Sequence, residues 1–303
     1  MPKVCVFGSY VMDLTCYAPR IPTVGETVLA GSFVMGPGGK GFNQAVAARL
    51  ADVETCFISM IGDDDFKPFV IAAFERFGLA QDYMFESIDE PTGVALITVE
   101  QEQGDNSIVV ATGACNALSP LHVQQSEAAF IGADVFLTQF EANLEATYTA
   151  IKMAHRHGAK VILNTAPYRQ FNLEILKFVD ILVSNETECA QLVGGKIDTQ
   201  DALEAAASAL SERVDTVIVT LGGGGVYCPQ VSDSILPAYS VNSIDTTGAG
   251  DAFSGIFAAY LARGESIEES IHYAQVGAAI STTINGTAPS MPVRSVIEAA
   301  RQK

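Results

Sequence analysis

Ile181-Leu182-Val183 and Val217-Ile218-Val219, with a helical pattern over residues 200–213 between them, read as a strand–helix–strand unit. Each run is apolar at every position, as a strand buried on both faces of a parallel sheet must be. The same reading extends upstream to Val161-Ile162-Leu163 and Val135-Phe136-Leu137, with a helical pattern over residues 144–157 between them, and to Val4-Cys5-Val6-Phe7 near the N-terminus. Repeated strand–helix order predicts a layered α/β fold. From Asp251 onward the chain reads as mostly helical. Two stretches, residues 27–35 and 93–112, break the rhythm with alternating segments such as Val94-Ala95-Leu96-Ile97-Thr98-Val99 and Ser107-Ile108-Val109-Val110. These predict antiparallel strands inserted into the α/β body. The expected division is a large domain of residues 1–13, 37–88 and 114–303, and a small sheet of residues 14–36 and 89–113 placed to act as a lid.

The 303 residues are 49% hydrophobic, ample for a large core. Met1-Pro2-Lys3-Val4 runs straight into an apolar strand without the regions of a signal peptide. Six scattered cysteines form no C-x-x-C pair. Both features predict a cytoplasmic protein without a disulfide framework or zinc site. A formal net charge of -18 would repel nucleic acid and anionic membranes. It would also repel a polyphosphate, unless magnesium, backbone N–H groups or a helix N-terminus compensate locally.

Asp245-Thr246-Thr247-Gly248-Ala249-Gly250-Asp251 supplies that compensation. Small residues precede a helical pattern, so free N–H groups converge on an anion at the helix start, with Asp251 in the first turn as a proton acceptor. A simple cap would need only one Asp or Ser. Gly36-Pro37-Gly38-Gly39-Lys40-Gly41-Phe42-Asn43-Gln44 reads as a backbone loop that meets a small polar ligand, ahead of a helix from Ala45. It also matches G-x-G-x-x-G, but lies in the second element instead of the first strand-turn, and Gly41 stands where a P-loop needs Ser or Thr. Thr220-Leu221-Gly222-Gly223-Gly224-Gly225 after a strand lets the main chain lie against a flat or anionic ligand. Asp13, beyond the first strand, reads equally as a turn residue or a hydroxyl acceptor. Glu188 in Asn185-Glu186-Thr187-Glu188 reads by itself as part of a capping box. The histidines form no convincing metal pair.

Together these segments resemble the ribokinase family of carbohydrate kinases over essentially the whole chain. The segment from Gly38 to Ala45 is similar to the family's N-terminal signature, residues 245–251 to its C-terminal signature, Asn185 and Glu188 to its N-x-x-E motif, and Asn164-Thr165-Ala166-Pro167 to its N-P-A-P segment with Thr165 in place of the first proline. The resemblance implies a doubly wound, mainly parallel sheet flanked by helices, with a β-sheet lid that forms a homodimer interface. It implies ATP with Mg2+ as phosphate donor. Asp251 would be the base, and Gly248, Ala249 and Gly250 the anion hole. Val11, Asp13, Gly39, Lys40, Gly41, Asn43, Glu141 and Asp251 would surround the sugar. Asn185, Thr220, Gly222, Gly223, Gly224, Gly225, Gly250 and Gln275 would contact ATP, and Glu188 would hold Mg2+ through water. Asp245, Thr247, Ser281, Ile284, Gly286 and Ser290 would surround K+, mainly with backbone oxygens.

One position departs from the pattern. Ribokinases usually carry Asn two residues before the sugar-binding Asp, where this chain has Val11. A valine gives a sugar hydroxyl no partner, and an unpaired buried hydroxyl costs about 1–3 kcal/mol. Similar proteins with an apolar residue here include deoxyribokinases, so the expected substrate is ribose or, from Val11, 2-deoxyribose. A nucleoside or fructose-type kinase is the alternative within the family. A nucleotide-binding regulator conflicts with the intact Asp251 and its glycine loop, and a dehydrogenase would require NAD binding.

Overall fold

The computed structural model describes residues 1–101 and 106–302; residues 102–105 of the expected small-sheet segment lie outside the described residues. The strands are β1 (Lys3–Phe7), β2 (Val11–Ala18), β3 (Ser32–Gly38), β4 (Glu54–Gly62), β5 (Met84–Ser87), β6 (Thr92–Glu100), β7 (Asn106–Gly113), β8 (Val135–Thr138), β9 (Lys160–Asn164), β10 (Ile181–Asn185), β11 (Thr216–Thr220) and β12 (Val226–Tyr227). Eight form one sheet in the order β12-β11-β10-β9-β8-β1-β4-β5, parallel except for the β11–β12 pair. The order runs outward in both directions from β1, as in a doubly wound α/β fold.

Alternation along each strand explains the apolar runs. Val4 and Val6 enter one core cluster while Cys5 and Phe7 enter the other, and Ile218 faces away from Val217 and Val219 in the same way. Helices cover both faces, so no strand position needs to be polar for water. On one face the helices Lys40–Leu50 and Ala249–Ala262 pack together. Gly255 permits their close approach: a Cβ there would lie 2.3 Å from the Gln44 carbonyl oxygen. Phe42, from the first of these helices, packs edge-on against Tyr10 at 4.9 Å between ring centroids.

The second sheet has the order β3-β2-β6-β7. Its strands were expected to be antiparallel, but β2 and β6 are parallel. They are joined by a long crossover through β3, β4, β5 and two helices, which is what a parallel pair requires. Asp13 is the third residue of β2, on the small sheet, and not in a turn after β1. No helix among the described residues is long and apolar enough to cross a membrane.

Candidate active site

The helix Ala249–Ala262 begins behind Gly248, whose φ of 78° lies in the left-handed region that a Cβ disfavours. No side chain caps this end. The Ala249 N–H donates to the Thr246 carbonyl at 3.2 Å, whereas those of Gly248, Gly250 and Asp251 donate to no protein oxygen among the described residues. Three backbone donors therefore remain for an anion, reinforced by the positive end of the helix dipole.

Asp251 is buried in the first turn. Its Oδ2 accepts from Asn43 Nδ2 at 3.1 Å and its Oδ1 from Gln44 Nε2 at 3.0 Å. Both donors come from the Lys40–Leu50 helix. That helix starts at Lys40, not at Ala45, because Gly39 with φ 91° turns the chain and serves as its N-cap. Lys40, Gly41 and Asn43 thus occupy the first helical turn instead of a loop. Burial pushes the Asp251 carboxyl above its ordinary range, while the Lys40 charge and the two amide donors pull it back. Burial also works against the Lys40 ammonium, but Asp251, Glu141 and Glu188 outweigh it, and its pKa lies above the ordinary lysine value.

Around this pair lies a cavity of about 480 Å³, with Asp13, Gly39, Lys40, Asn43, Glu141 and Asp251 among its lining. Burial lifts the Asp13 carboxyl to about 7, despite the Thr287 hydroxyl that donates to its Oδ2 at 3.1 Å. Glu141 Oε2 accepts from Ser9 Oγ at 2.6 Å and from the Lys40 N–H at 2.9 Å. It thereby supplies the negative charge missing from the first turn of the Lys40–Leu50 helix. The opposite wall is apolar: Val11, Ala95 and Ile97 form a small buried cluster on the second sheet, joined in the lining by Ile108, Val110 and Phe140.

A second cavity, of about 550 Å³, lies on the other side of the same helix start. Thr246, Ala249 and Gly250 line this one, whereas Thr247, Gly248 and Asp251 line the first. The remainder of its wall joins small residues such as Gly222, Gly223, Gly225 and Ala278 to Val226, Tyr239, Val241 and Phe253. Gln275 also reaches it, with its Nε2 donating to the carbonyls of Leu236 and Pro237, each at 3.1 Å.

Asn185 and Glu188 line neither cavity. They form the complete capping box of the helix Glu186–Val193: Glu188 N–H to Asn185 Oδ1 at 2.8 Å and Asn185 N–H to Glu188 Oε2 at 3.2 Å. Thr165, the residue in place of the usual proline, donates its hydroxyl to the same Oε2 at 3.1 Å. Asp245 clips two loops together, accepting from Thr247 N–H at 2.9 Å and Gly286 N–H at 2.8 Å. The hydroxyls of Ser281 and Ser290 turn back onto the carbonyls of Ala278 and Thr287. No cluster of three or more His, Cys, Asp or Glu suited to a metal occurs among the described residues.

Ser9, Gln44, Gln139 and Thr287 touch the site residues and carried no separate signal in the sequence. Only Gln44, beside Asn43 in the glycine segment, stood close enough to a motif to be noticed.

The chain matches the family model described as pfkB family carbohydrate kinase over residues 1–294. It is 38% identical over 291 residues to a ribokinase of Haemophilus influenzae, covering 95% of each chain. It is 36% identical over 292 residues to a deoxyribokinase of Salmonella typhi, again covering 95% of each. The structure of Arabidopsis thaliana ribokinase complexed with ribose and ATP superposes with a TM-score of 0.91 at 29% identity, covering 100% of this chain and 99% of that one.

Proposed function

This chain belongs to the pfkB family of carbohydrate kinases, and from that premise we propose that it transfers the γ-phosphoryl group of ATP to the 5-hydroxyl of a pentose. The observation that carries this reading is the pair of cavities that meet at one helix N-terminus. The glycine-rich cavity suits the nucleotide and the acid-lined cavity suits the sugar, with the reacting groups meeting at residues 248–251. A relative solved with ribose and ATP supports the same two ligands.

Asp251 takes the proton from the attacking hydroxyl as its oxygen bonds to phosphorus and the bond to the departing ADP oxygen breaks. Free N–H groups at the helix start face the charge on the phosphoryl oxygens. Asn43 and Gln44 keep the base ionised by donating to it, and Lys40 offsets the crowded carboxylates. Asp13 and Glu141 orient the sugar by accepting from its hydroxyls. Mg2+ would neutralise phosphate charge, with Glu188 holding its water shell. K+ would sit where Asp245 joins the loops that carry Thr247, Ser281, Ile284, Gly286 and Ser290, ligated mainly by backbone oxygens.

The apolar wall favours 2-deoxyribose over ribose, since Val11, Ala95 and Ile97 offer a 2-hydroxyl no partner. On the face of the second sheet turned away from Asp13, Met35, Leu14, Leu96 and Val109 stand in register across four strands, and Met35, Leu96 and Val109 are exposed. A homodimer through this sheet would bury that row.

The test is product formation from ATP with ribose, 2-deoxyribose, fructose and adenosine, for the native chain and for Asp251→Asn. We expect a pentose 5-phosphate, a higher kcat/KM for 2-deoxyribose than for ribose, and loss of turnover in Asp251→Asn with ATP binding retained. Near-native turnover of that variant would remove Asp251 as the base, and a strong ribose preference would remove the role given to Val11.

A further inference from the structure

Gln139 follows β8 directly at the carboxyl end of the large sheet and is fully buried. Its Nε2 donates to Gln44 Oε1 at 2.5 Å, and Gln44 in turn donates through Nε2 to Asp251 Oδ1 at 3.0 Å. The direction of this chain is fixed chemically. An ionised carboxylate only accepts, so Gln44 must present its NH2 to Asp251 and its carbonyl oxygen to Gln139. Gln139 must then present its own NH2. Every amide dipole in the sequence Gln139, Gln44, Asp251 therefore points its donor at the carboxylate.

Gln139 holds this orientation at a cost. Its Oε1 is buried with no partner among the described residues. Gly8 makes room for that oxygen, since a Cβ at Gly8 would lie 2.1 Å from it. An apolar side chain of the same length would fill the slot and only move the orphan from Gln139 Oε1 to Gln44 Oε1, so the count of unpaired acceptors does not by itself call for glutamine here.

We propose that Gln139, acting through Gln44, is a positioning residue for phosphoryl transfer that holds the Asp251 carboxylate ionised and in one orientation toward the sugar hydroxyl. It touches neither the base nor, by the lining of the cavity, the sugar. The inference rests on the reading of Asp251 as the base. The opposing effects already noted at Asp251 are consistent with it: burial favours protonation, and the Gln44 hydrogen bond resists it. Without Gln139, the Gln44 amide can turn over, and its oxygen then accepts from a protonated Asp251 instead of its NH2 donating to the ionised form.

The test uses the whole enzyme with Gln139→Met, close in length but without donor or acceptor, and Gln139→Glu, nearly isosteric but able to reverse the Gln44 amide. For Gln139→Met we expect a Tm close to the native value, because one buried acceptor is orphaned in either case, Gln139 Oε1 in the native chain and Gln44 Oε1 in the variant. We expect kcat/KM for the sugar to fall by roughly tenfold or more, the scale of one lost hydrogen bond to a charge. The acidic limb of its pH profile should move to higher pH, and KM for ATP should stay unchanged. Gln139→Glu should lose more activity than Gln139→Met, and it supplies the readout if methionine disturbs packing. A folded variant of either kind with native kcat/KM and an unmoved acidic limb overturns the proposal, as does a loss of activity explained wholly by a lowered Tm. Asp251→Asn separates the two readings. If that variant keeps turnover, the base is misassigned; if it is inactive while the Gln139 variants behave as native, this inference alone fails.

Discussion

The two cavities on either side of the helix start are built from different materials. The one assigned to the nucleotide is walled mostly by small residues, Gly222, Gly223, Gly225 and Gly250 among them, so main chain is open to a ligand there, and no charged side chain lines it among the described residues. The one assigned to the sugar combines Asp13, Lys40, Glu141 and Asp251 with an apolar wall from a separate sheet. Main chain recognises features that every triphosphate shares. Side chains recognise a particular pattern of hydroxyls, and one substitution can change that pattern. Selectivity should therefore be fragile on the acceptor side and robust on the donor side.

The sharpest way to break this division is Lys40→Met. The change removes the cation that offsets Asp251, Glu141 and Glu188 and leaves the acceptor side with uncompensated carboxylates. We expect kcat/KM for the sugar to fall by about 10²–10³-fold, the scale of lost electrostatic preorganisation. Activity should recover partly at higher pH, since Asp251 loses one of the influences that hold its pKa down. Binding of a non-hydrolysable ATP analogue to the sugar-free enzyme should change little. A comparable loss of analogue affinity would mean that Lys40 serves the donor side.

Val11→Asn probes the apolar wall by itself. It restores an amide two residues before Asp13, at a position only 2% exposed beside Ala95 and Ile97. The ratio of kcat/KM for ribose to that for 2-deoxyribose should rise by about tenfold, matching about 1.4 kcal/mol for a newly paired hydroxyl. The cost should be a lower Tm in the absence of sugar. An unchanged ratio would move the 2-hydroxyl away from Val11.

The acceptor side should also titrate. Asp13 is lifted to about 7, first by burial and then by the charges of Glu141 and Asp251. Its ionised form is the better acceptor for sugar hydroxyls, so sugar affinity should weaken by roughly tenfold between pH 8 and pH 6. Calorimetric titration of sugar into nucleotide-free enzyme measures this, and Asp13→Asn should flatten the profile. The sign for folding is opposite. Because the folded pKa lies above the ordinary carboxylate value, Asp13 contributes less to the stability of the empty protein as pH rises from about 4 through 7.

The same contrast explains what was legible in the sequence. Backbone sites announce themselves through consecutive small residues, so residues 245–251 and 220–225 could be picked out directly. The runs of β1, β8, β9, β10 and β11 were legible because burial on both faces forces continuous apolarity. β4 was missed because polar Thr55 and Ser59 are buried within it. β2 was missed because Asp13 and Thr15 interrupt Val-Met-Asp-Leu-Thr, and a half-buried carboxylate within a strand looks like a turn residue in one dimension. Gln139 gave no signal at all. It lies 95 residues from Gln44, and only the approach of β8 to the two packed helices makes them partners.

Gln275 offers the mildest test, on the donor side. The residue was expected to contact ATP, yet both of its described hydrogen bonds run from Nε2 to the carbonyls of Leu236 and Pro237. Those carbonyls precede Ala238 and Tyr239 in the wall of the nucleotide cavity. The side chain thus fixes the wall to the helix Ile267–Ser281, and its effect on ATP should pass through the position of that wall. Gln275→Leu loses two neutral hydrogen bonds, but the wall keeps its other contacts, including the Val226–Leu236 bridge. KM for ATP should rise only about three- to tenfold, less than the full value of two such bonds. The kcat at saturating ATP and KM for the sugar should remain native, since neither Asp251 nor the acceptor wall is touched. Steady-state kinetics with each substrate varied in turn gives the answer. A change in sugar KM would show that the two cavities are coupled through the helix they share, and the robustness expected of the donor side would then belong to neither side alone.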